Sequence, residues 1–292
     1  MPREILARLG VKYRRIPAMA IGKDIYCDSR IILSKLEQLY PEGKLGASSP
    51  FEEGIEYLLE NFVNDGGPFW RTAQMIPPSL ISPEFAKDRS EMIGRTFESE
   101  GRERDRPEAM SHVRMYFDLV EKKLLADGRQ YLLGTEEPKL ADIHVAWNLD
   151  WAIGMASLKQ EGEKGDLITK ENYPKVWAWL DRYKAFVSKV QEKDGRAPTI
   201  SVDDTEKVVL ESDFGEPEGD IDPLDPLQLK KGEYVEMFPT DNSLNHRDRG
   251  ELVAIGVNEA VVKSEVPGGK GHVRIHYPRT NFKVQPVPAQ KL

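Results

Sequence analysis

The chain has 292 residues, of which 39% are hydrophobic and 31% charged, and its formal net charge is −8. That length and composition predict a globular protein of two or three domains, and the negative charge argues against nucleic acid or an anionic membrane as a partner. The single cysteine, Cys27, excludes an internal disulfide and a metal site built from several cysteines, and we expect no metal cofactor. No apolar run reaches membrane-spanning length and the first residues lack the pattern of a secretory signal, which favours a cytoplasmic location.

The first 41 residues predict the element order helix, strand, strand, helix. Apolar residues at helical spacing are followed by alternating apolar residues, a second short apolar run and a capped helix. The predicted elements are a helix over residues 3–9, a strand from Val11 to Ile21, a turn at residues 22–24, which include Asp24, a strand over residues 25–27, and a helix from Asp28 or Ser29 to Leu39. Two strands alone are marginal in water, so this segment needs further structure to pack against.

Pro17 interrupts the first predicted strand. Proline has no backbone N–H to donate to a neighbouring strand, so it belongs at a strand end, an edge or a bulge. The alternative is a cis Ile16–Pro17 peptide bond that presents free backbone groups to a ligand.

Residues 51–193 predict an all-helical region. Three apolar stripes at helical spacing indicate helix faces that pack in a core. The stripes are Ile55, Leu58, Leu59 and Phe62; Val113, Phe117, Val120 and Leu124; and Val176, Leu180, Tyr183 and Val187. The strongly charged residues 95–107 mix both signs, which predicts a solvated loop or helix end rather than a ligand site.

The last third of the chain predicts β structure. Residues 203–228 are rich in acidic residues, Pro and Gly, which predicts an extended connector. Several short strands with tight turns then indicate a small β-barrel or β-sandwich; the candidates are residues 234–238, 249–256, 259–266 and 272–278. In the last strand His272, Arg274 and His276 alternate onto one face, as the residues of a metal or anion site would. With no Cys, Asp or Glu partner at a suitable spacing, we interpret them as an ordinary solvated face of the barrel.

Two stretches, in the right order, resemble the glutathione transferases. Residues 14–41, "RRIPAMAIGKDIYCDSRIILSKLEQLYP", resemble the second half of the family's thioredoxin-like domain, and residues 131–151, "YLLGTEEPKLADIHVAWNLDW", resemble the signature of its all-helical domain. With an appended C-terminal β module, the combination resembles the fungal transferase-like proteins. The resemblance implies an α+β multidomain fold, with a partial thioredoxin-like domain at residues 1–45, an all-α domain at 50–195, and an acidic connector with a small β domain at 199–292.

The resemblance also implies that the thioredoxin-like domain is truncated at its N-terminus. In the family a strand, a helix and a second strand precede the segment that begins here at Met1. The first of those strands is central in the family's sheet. Without it, we expect the strand from Val11 to Ile21 to be an exposed edge.

A glutathione site is implied at Ile16, Pro17, Asp28 and Ser29, with glutathione as co-substrate. Ile16 with a cis Pro17 would offer backbone N–H and C=O groups to the cysteinyl part of glutathione. Asp28 and Ser29 match the family's acidic-Ser pair at a helix start, where backbone donors and the positive dipole end suit the γ-glutamyl carboxylate. Either residue could instead simply cap the helix.

The catalytic residue is unknown. Catalysis in the family needs a Ser, Tyr or Cys near the absent first strand, which lowers the pKa of the glutathione thiol, and no position here matches it. Cys27 adjoins Asp28, but along a strand it points away from both Tyr26 and Asp28, and we expect it to be a small buried hydrophobic residue. The chain is therefore expected to be a weak or inactive catalyst.

The helical region holds two further candidates. Asp142 matches the family's helix-capping signal, although Lys139 stands where a Ser or Thr would complete the capping box, and we assign Asp142 a structural role. The side chains of Trp70, His144, Trp147 and Trp151 either line an acceptor pocket for a hydrophobic small molecule or form an aromatic core between helices.

The leading hypothesis is a glutathione S-transferase-like protein that binds glutathione, with conjugation, isomerisation or thiol exchange on a hydrophobic electrophile as the implied chemistry. A homodimer is implied as well, although a broken first domain would alter its formation. The alternative is a non-catalytic scaffold on the transferase fold, whose β module recruits a partner. A third hypothesis is a glutathione-independent enzyme that uses the aromatic helix face as its pocket.

Overall fold

The chain forms two compact units in the computed structural model, which describes residues 3–94, 96–97, 101–159 and 165–287. The first unit combines Met1–Pro41, Glu84–Phe97 and Pro198–Leu292. The second combines Glu42–Pro83 and Glu98–Ala197. The described residues near the two ends of the chain therefore belong to one unit.

The described residues contain nine α-helices and seven β-strands, numbered in chain order. The helices are α1 (Glu4–Arg8), α2 (Ser29–Leu39), α3 (Pro50–Asn64), α4 (Pro68–Gln74), α5 (Pro83–Ile93), α6 (Arg102–Leu119), α7 (Leu140–Ser157), α8 (Pro174–Asp194) and α9 (Val202–Glu211). The strands are β1 (Ala18–Ile21), β2 (Asp24–Cys27), β3 (Tyr234–Pro239), β4 (Asp248–Ile255), β5 (Glu259–Glu265), β6 (His272–Pro278) and β7 (Phe282–Pro286). A π-helical segment, Val120–Leu124, continues α6.

One seven-stranded mixed sheet organises the first unit, with the strand order β1-β2-β6-β5-β4-β3-β7. Neighbouring strands are antiparallel except β2 and β6, which are parallel. This parallel pair is short and runs from Asp24 opposite Arg274 to Tyr26 opposite His276. The strands near the C-terminus thus continue the sheet that the N-terminal hairpin begins.

The sheet packs apolar side chains on both faces, because successive residues of a strand point to opposite sides. Ile25 and Cys27 of β2 join the larger core, which also contains Leu6, Leu9, Val209, Val273, Ile275 and Tyr277. On the other face, Tyr26 packs with Ile31 and Ile32 of α2. Helix α2 covers that face of the hairpin through its apolar stripe, and Asp28 caps its first turn.

The predicted C-terminal β-barrel or β-sandwich is replaced by this open mixed sheet. The five strands β3 to β7 do not close on themselves, because β6 pairs with β2 of the hairpin along one of its edges and β7 pairs with β3 at the far end. Strand β7 was not predicted. The structure also differs from the predicted division at residues 45 and 199, since the hairpin and the C-terminal strands share one sheet and one core.

The predicted strand from Val11 to Ile21 is regular only from Ala18. The amides of Lys12 and Tyr13 donate to the carboxylate of Asp248 instead of to a neighbouring strand, and the hydroxyl of Tyr277 donates to the same carboxylate. Val11 and Tyr13 are buried in the larger core. Strand β1 stands at one end of the strand order, as expected for an edge.

Helix α9 corrects the predicted connector over residues 203–228. The hydroxyl of Ser201 accepts from the amide of Asp204 at 3.0 Å and caps the helix, and the acidic residues Asp203 and Asp204 suit its first turn. Val209 is buried in the larger core. The acidic, Pro-rich composition that suggested a connector belongs mainly to the residues after Glu211.

The second unit is all-helical, as predicted, around one apolar core. Val113, Phe117, Val176 and Leu180 lie in this core, whereas Leu58 is exposed although it belongs to a predicted stripe. In the part of the chain that the structure describes, no helix has the length and apolarity that a membrane crossing requires.

The charged segment 95–107 was predicted to be a solvated loop or helix end. Residues 95 and 98–100 lie outside the described residues, and residues 102–107 belong to α6. Arg106 is buried and donates to the carbonyls of Met155 and Leu158, each at 2.9 Å. These carbonyls lie at the end of α7, where a cation is favourable. Part of the segment is therefore structural rather than solvated.

Asp142 has the structural role that was predicted for it. Its carboxylate accepts from the amides of Lys139 and Leu132, both at 2.9 Å, and from the indole Nε1 of Trp179 at 2.7 Å. The Lys139 side chain makes no cap hydrogen bond, so only the half of the capping box that Asp142 supplies is present. Burial raises the pKa of Asp142 in spite of these hydrogen bonds. The carboxylate joins the start of α7, the segment before it and α8.

Candidate functional site

The N-terminal hairpin brings Ile16 and Pro17 to the open edge of the sheet. The Ile16–Pro17 peptide bond is cis. The amide of Asp28 donates to the carbonyl of Pro17 at 3.3 Å, so the backbone of Pro17 is directed toward β2. Backbone groups alternate in direction along an antiparallel strand, so those of Ala18, the first residue of β1, are directed to the open edge. Ile16 is 66% exposed.

Asp28 and Ser29 lie at the start of α2. Asp28 has φ 87° and ψ 142°, a positive φ that is uncommon for a residue other than glycine, and its carboxylate accepts from the amide of Arg30 at 3.1 Å. Asp28 therefore caps the helix, which was one of the two roles considered for it. Among the described residues, none hydrogen-bonds the hydroxyl of Ser29.

The thiol and phenol groups near this edge are buried. Cys27 is fully buried in the larger core, as expected, and burial raises the pKa of its thiol well above the usual value. Burial likewise raises the pKa of Tyr13 and of Tyr26. A thiolate or phenolate at any of the three is disfavoured at neutral pH.

A buried charged cluster crosses the joint between β2 and β6. Asp24 is 0% exposed and accepts from Arg274 through Nε at 2.5 Å and Nη2 at 2.7 Å. It also accepts from Nε2 of His276 at 2.9 Å and from the amide of Gly215 at 2.6 Å. Burial disfavours the charge on Asp24, but the hydrogen bonds from His276 and Arg274 outweigh it and lower the pKa of Asp24.

His276 lies between carboxylates on both sides of its ring. Its Nδ1 is 2.8 Å from an oxygen of Glu259 and 3.5 Å from one of Glu216, and its ring stacks on Tyr26 with centroids 4.3 Å apart. Burial alone would lower the pKa of His276, but the hydrogen bonds with Asp24 and Glu259 raise it. The group has the electrostatic surroundings of an imidazolium.

A cavity of about 260 Å³ adjoins this cluster. Its wall includes charged groups of Glu216, Glu259, Arg274 and His276 and the apolar side chains of Val253 and Val261. Nowhere in the described ranges is a group of three or more His, Cys, Asp or Glu side chains arranged to hold a metal ion.

The second unit presents a partly exposed aromatic cluster, formed by Phe69, Trp70, Trp147 and Trp151. The ring of Phe69 contacts those of Trp70, Trp147 and Trp151, with centroids 4.9, 6.1 and 5.8 Å apart. Trp70 is 39% and Trp147 40% exposed. Three of these four rings, those of Trp70, Trp147 and Trp151, were grouped in the sequence analysis, which did not include Phe69. His144 is buried, with Nδ1 3.9 Å from a carboxylate oxygen of Glu60.

Known proteins resemble this chain at the level of the fold. A family described as "Domain of unknown function (DUF7962)" matches residues 71–192, and no curated protein matches the sequence. A GST-like protein from Pseudomonas syringae is similar over 98% of this chain and 87% of its own, with 22% identity and a TM-score of 0.63. The chain has a glutathione transferase-like fold. A glutathione transferase homologue from Sulfitobacter, crystallised with bound glutathione, is similar over 61% of this chain and 74% of its own, with 16% identity and a TM-score of 0.44.

Within the glutathione transferase-like fold, the charged cluster is the feature that sequence analysis missed. His272, Arg274 and His276 were interpreted as a solvated barrel face, but Arg274 and His276 are buried and only His272 is exposed. Their acidic partner, Asp24, is distant in sequence and was interpreted as a turn residue. The available signal was the alternation of Arg274 and His276 with apolar residues in β6. Such a pattern indicates buried basic side chains, and a buried cation requires an anion as its partner.

Proposed function

We propose that this glutathione transferase-like chain binds glutathione at the open edge of β1 and the start of α2. The observation that carries the proposal is the direction of the backbone at Ala18, next to the cis Ile16–Pro17 bond, which faces the edge where no described strand follows. An extended peptide can add to such an edge through main-chain hydrogen bonds. Glutathione is a tripeptide, and its length suits one or two pairs of such main-chain hydrogen bonds.

The start of α2 supplies the second half of the proposed site. A carboxylate is favoured near a helix N-terminus, because the first backbone N–H groups lack partners within the helix and the dipole is positive there. The hydroxyl of Ser29 adds a donor next to them. In the proposed arrangement the cysteinyl part of glutathione pairs with Ile16 and its γ-glutamyl carboxylate binds at Ser29, while Asp28 holds the first turn in place.

Glutathione conjugation by this chain is proposed to be weak or absent. Activation of the thiol requires a group that donates a hydrogen bond to the thiolate, and Cys27, Tyr13 and Tyr26 are buried with raised pKa values. These buried groups also support the alternative of a non-catalytic protein on a transferase fold. In either case binding at the β1 edge is the property to test first.

The aromatic cluster of the second unit is proposed to bind a hydrophobic small molecule. Trp70 and Trp147 leave part of each indole accessible, and the ring planes of Trp147 and Trp151 are nearly parallel, with an interplanar angle of 14° and centroids 6.5 Å apart. Aromatic rings provide large apolar contact area with defined stacking geometry.

Calorimetric titration of the full chain with glutathione tests the proposed function. We expect saturable binding that weakens about tenfold in Ser29→Ala, because a hydrogen bond to a charged group contributes about 1.5–3 kcal/mol. Ser34→Ala is the matched control, since Ser34 is an exposed serine of the same helix, and it should bind like the unmodified chain. S-methylglutathione should bind about as tightly as glutathione, since the proposed site does not activate the thiol. Absence of binding by the folded chain, or equal affinity in both serine variants, would contradict the proposal.

A further inference from the structure

His276 joins two parts of the sheet that are distant in sequence. Its ring lies at the seam between β2 and β6, with Nε2 on Asp24 of β2 and Nδ1 on Glu259 of β5. The residue is 1% exposed. An imidazole can donate from both ring nitrogens only when it is protonated. The two ring nitrogens of His276 each face a carboxylate. Both hydrogen bonds can therefore form only when the ring is protonated.

The seam that His276 spans has a short backbone ladder. Strand β2 pairs with β6 over three residues, and the amide of Arg274 donates to the carbonyl of Lys23 at 3.0 Å. In addition to these backbone hydrogen bonds, the side chains of Asp24, Arg274 and His276 hold the hairpin against β6. A short parallel pairing is slightly less stable per residue than an antiparallel one, and the side-chain cluster adds to the attachment that this ladder and the buried Ile25 and Cys27 provide.

Charged groups surround His276 on each element packed against it. Strand β2 contributes Asp24, β5 contributes Glu259, and the segment before β3 contributes Glu216, which also pairs with Lys35 of α2. On β6 itself, Arg274 binds the other side of Asp24. Asp24, which is buried and bound to Arg274, keeps its charge as His276 titrates. His276 is the group in this cluster whose usual titration lies nearest neutrality.

We propose that protonated His276 acts as a pH-sensitive latch, which holds the N-terminal hairpin on the C-terminal strands and releases it when the ring loses its proton. A neutral imidazole has one N–H, so one of its two nitrogens then presents a lone pair to a carboxylate. Asp24 keeps Arg274 and the Gly215 amide, whereas Glu259 is partly exposed and turns to solvent. Water enters from the adjoining cavity, and the hairpin opens more often.

The direction of the pH effect follows from linkage. The hydrogen bonds of His276 raise its pKa in the folded chain above 6.5, its ordinary value. Its stabilising contribution is fully present below pH 6.5 and is lost as the pH rises through the folded-state pKa. The latch is therefore closed in mildly acidic solution and opens toward alkaline pH.

Amide hydrogen exchange of the full chain, measured by mass spectrometry at pH 6 and pH 9 and corrected for intrinsic rates, tests the latch. We expect protection of the peptides covering β2 and β6 to fall at least tenfold more than that of peptides from α8 between the two pH values. His272→Gln, which alters an exposed histidine of the same strand, should behave like the unmodified chain. In His276→Gln the protection should be low at both pH values. Corrected protection that does not change with pH would overturn the proposal.

Two further measurements keep the test decisive if His276→Gln folds poorly. Glu259→Gln removes one of the two carboxylates that stabilise the imidazolium, so the loss of protection should begin at lower pH than in the unmodified chain. The chain has five histidines, and the imidazole Cε1–H signals in a carbon-proton spectrum should include one, absent in His276→Gln, with a midpoint above 6.5, the ordinary pKa of an imidazole. A His276 midpoint at or below 6.5 would also overturn the proposal.

The exchange experiment contains no glutathione, so its outcome is independent of the proposed function. A second consequence does rest on that function: the hairpin that opens carries Pro17 and leads into Ser29, so opening would remove the proposed glutathione site. If glutathione binds weakly but hydrogen exchange still shows the pH transition, the result would count against the proposed function and would not contradict the latch.

Discussion

Replacing Asp24 by asparagine is expected to destabilise the first unit by about 3–5 kcal/mol, the usual cost of removing one partner from a buried ion pair. Asp24 is fully buried and accepts from Arg274, His276 and the amide of Gly215. An asparagine keeps the shape but carries no charge and turns an N–H₂ group toward at least one of these donors. Arg274 would then be buried without its carboxylate partner, and protonated His276 would keep only Glu259 and Glu216.

Native-state hydrogen exchange in increasing urea measures this effect in the first unit. The peptides that cover β5 and β6 report its opening free energy, because both strands lie within the sheet rather than at its edge. Asp220→Asn is the matched control, since Asp220 is exposed, and a surface change of this kind is expected to stay within about 0.5 kcal/mol. A loss below about 1 kcal/mol in Asp24→Asn would show that the cluster does not hold the sheet together.

Replacing Asp142 by alanine is expected to destabilise the second unit by about 3–5 kcal/mol. The carboxylate accepts from the amides of Lys139 and Leu132 and from the indole of Trp179, and Trp179 is itself fully buried. Each buried donor left without an acceptor costs about 1–3 kcal/mol. Since alanine supplies no acceptor, α7 would lose its cap and its connection to α8 at once.

Tryptophan fluorescence during urea unfolding reads out this change selectively. The chain has five tryptophans, and all of them lie in the second unit. Asp150→Ala is the control on the same helix, because Asp150 makes an exposed ion pair with Lys184, and such pairs contribute at most about 1 kcal/mol. If both variants shift the unfolding midpoint equally, Asp142 is not the structural residue that its contacts indicate.

The parts of the fold that were predicted correctly are those with a local signal. The helix from Ser29 to Leu39 was predicted because an Asp-Ser pair precedes a regular apolar stripe, and the strand candidates after residue 233 because short apolar runs alternate with turns. The burial of Cys27 was predicted because a small buried hydrophobic residue is the usual fate of a lone cysteine. Each of these features depends on residues within about ten positions of one another.

The features that were missed depend on contacts between distant residues. Nothing near Asp24 indicates that it lies opposite Arg274, because the register of two strands separated by most of the chain is set only by packing. The pairing of β2 with β6 is also the reason that the C-terminal strands continue the hairpin's sheet and do not form the predicted barrel. Helix α9 was missed for a different reason. The predicted connector was defined by the composition of residues 203–228 as a whole, and the acidic, Pro-rich residues that follow α9 dominate that composition.

The candidate glutathione site was predicted from the resemblance, and the local geometry adds detail to it. Sequence alone left open whether Asp28 caps a helix, and the structure shows its carboxylate on the amide of Arg30. The direction of the Ala18 backbone depends on which residues of β1 pair with β2, which a single sequence does not specify.

Titration of the ¹⁵N-labelled full chain with glutathione, followed by amide chemical shifts, tests the central claim most directly. The account predicts saturable shifts of the amides of Ile16, Ala18, Ser29 and Arg30, with the amides of β4 and β5 unchanged. Those two strands are distant from β1 in the strand order and serve as the internal control. Glutathione that leaves the four amides unshifted in a folded chain, or that shifts only residues elsewhere, would contradict the account.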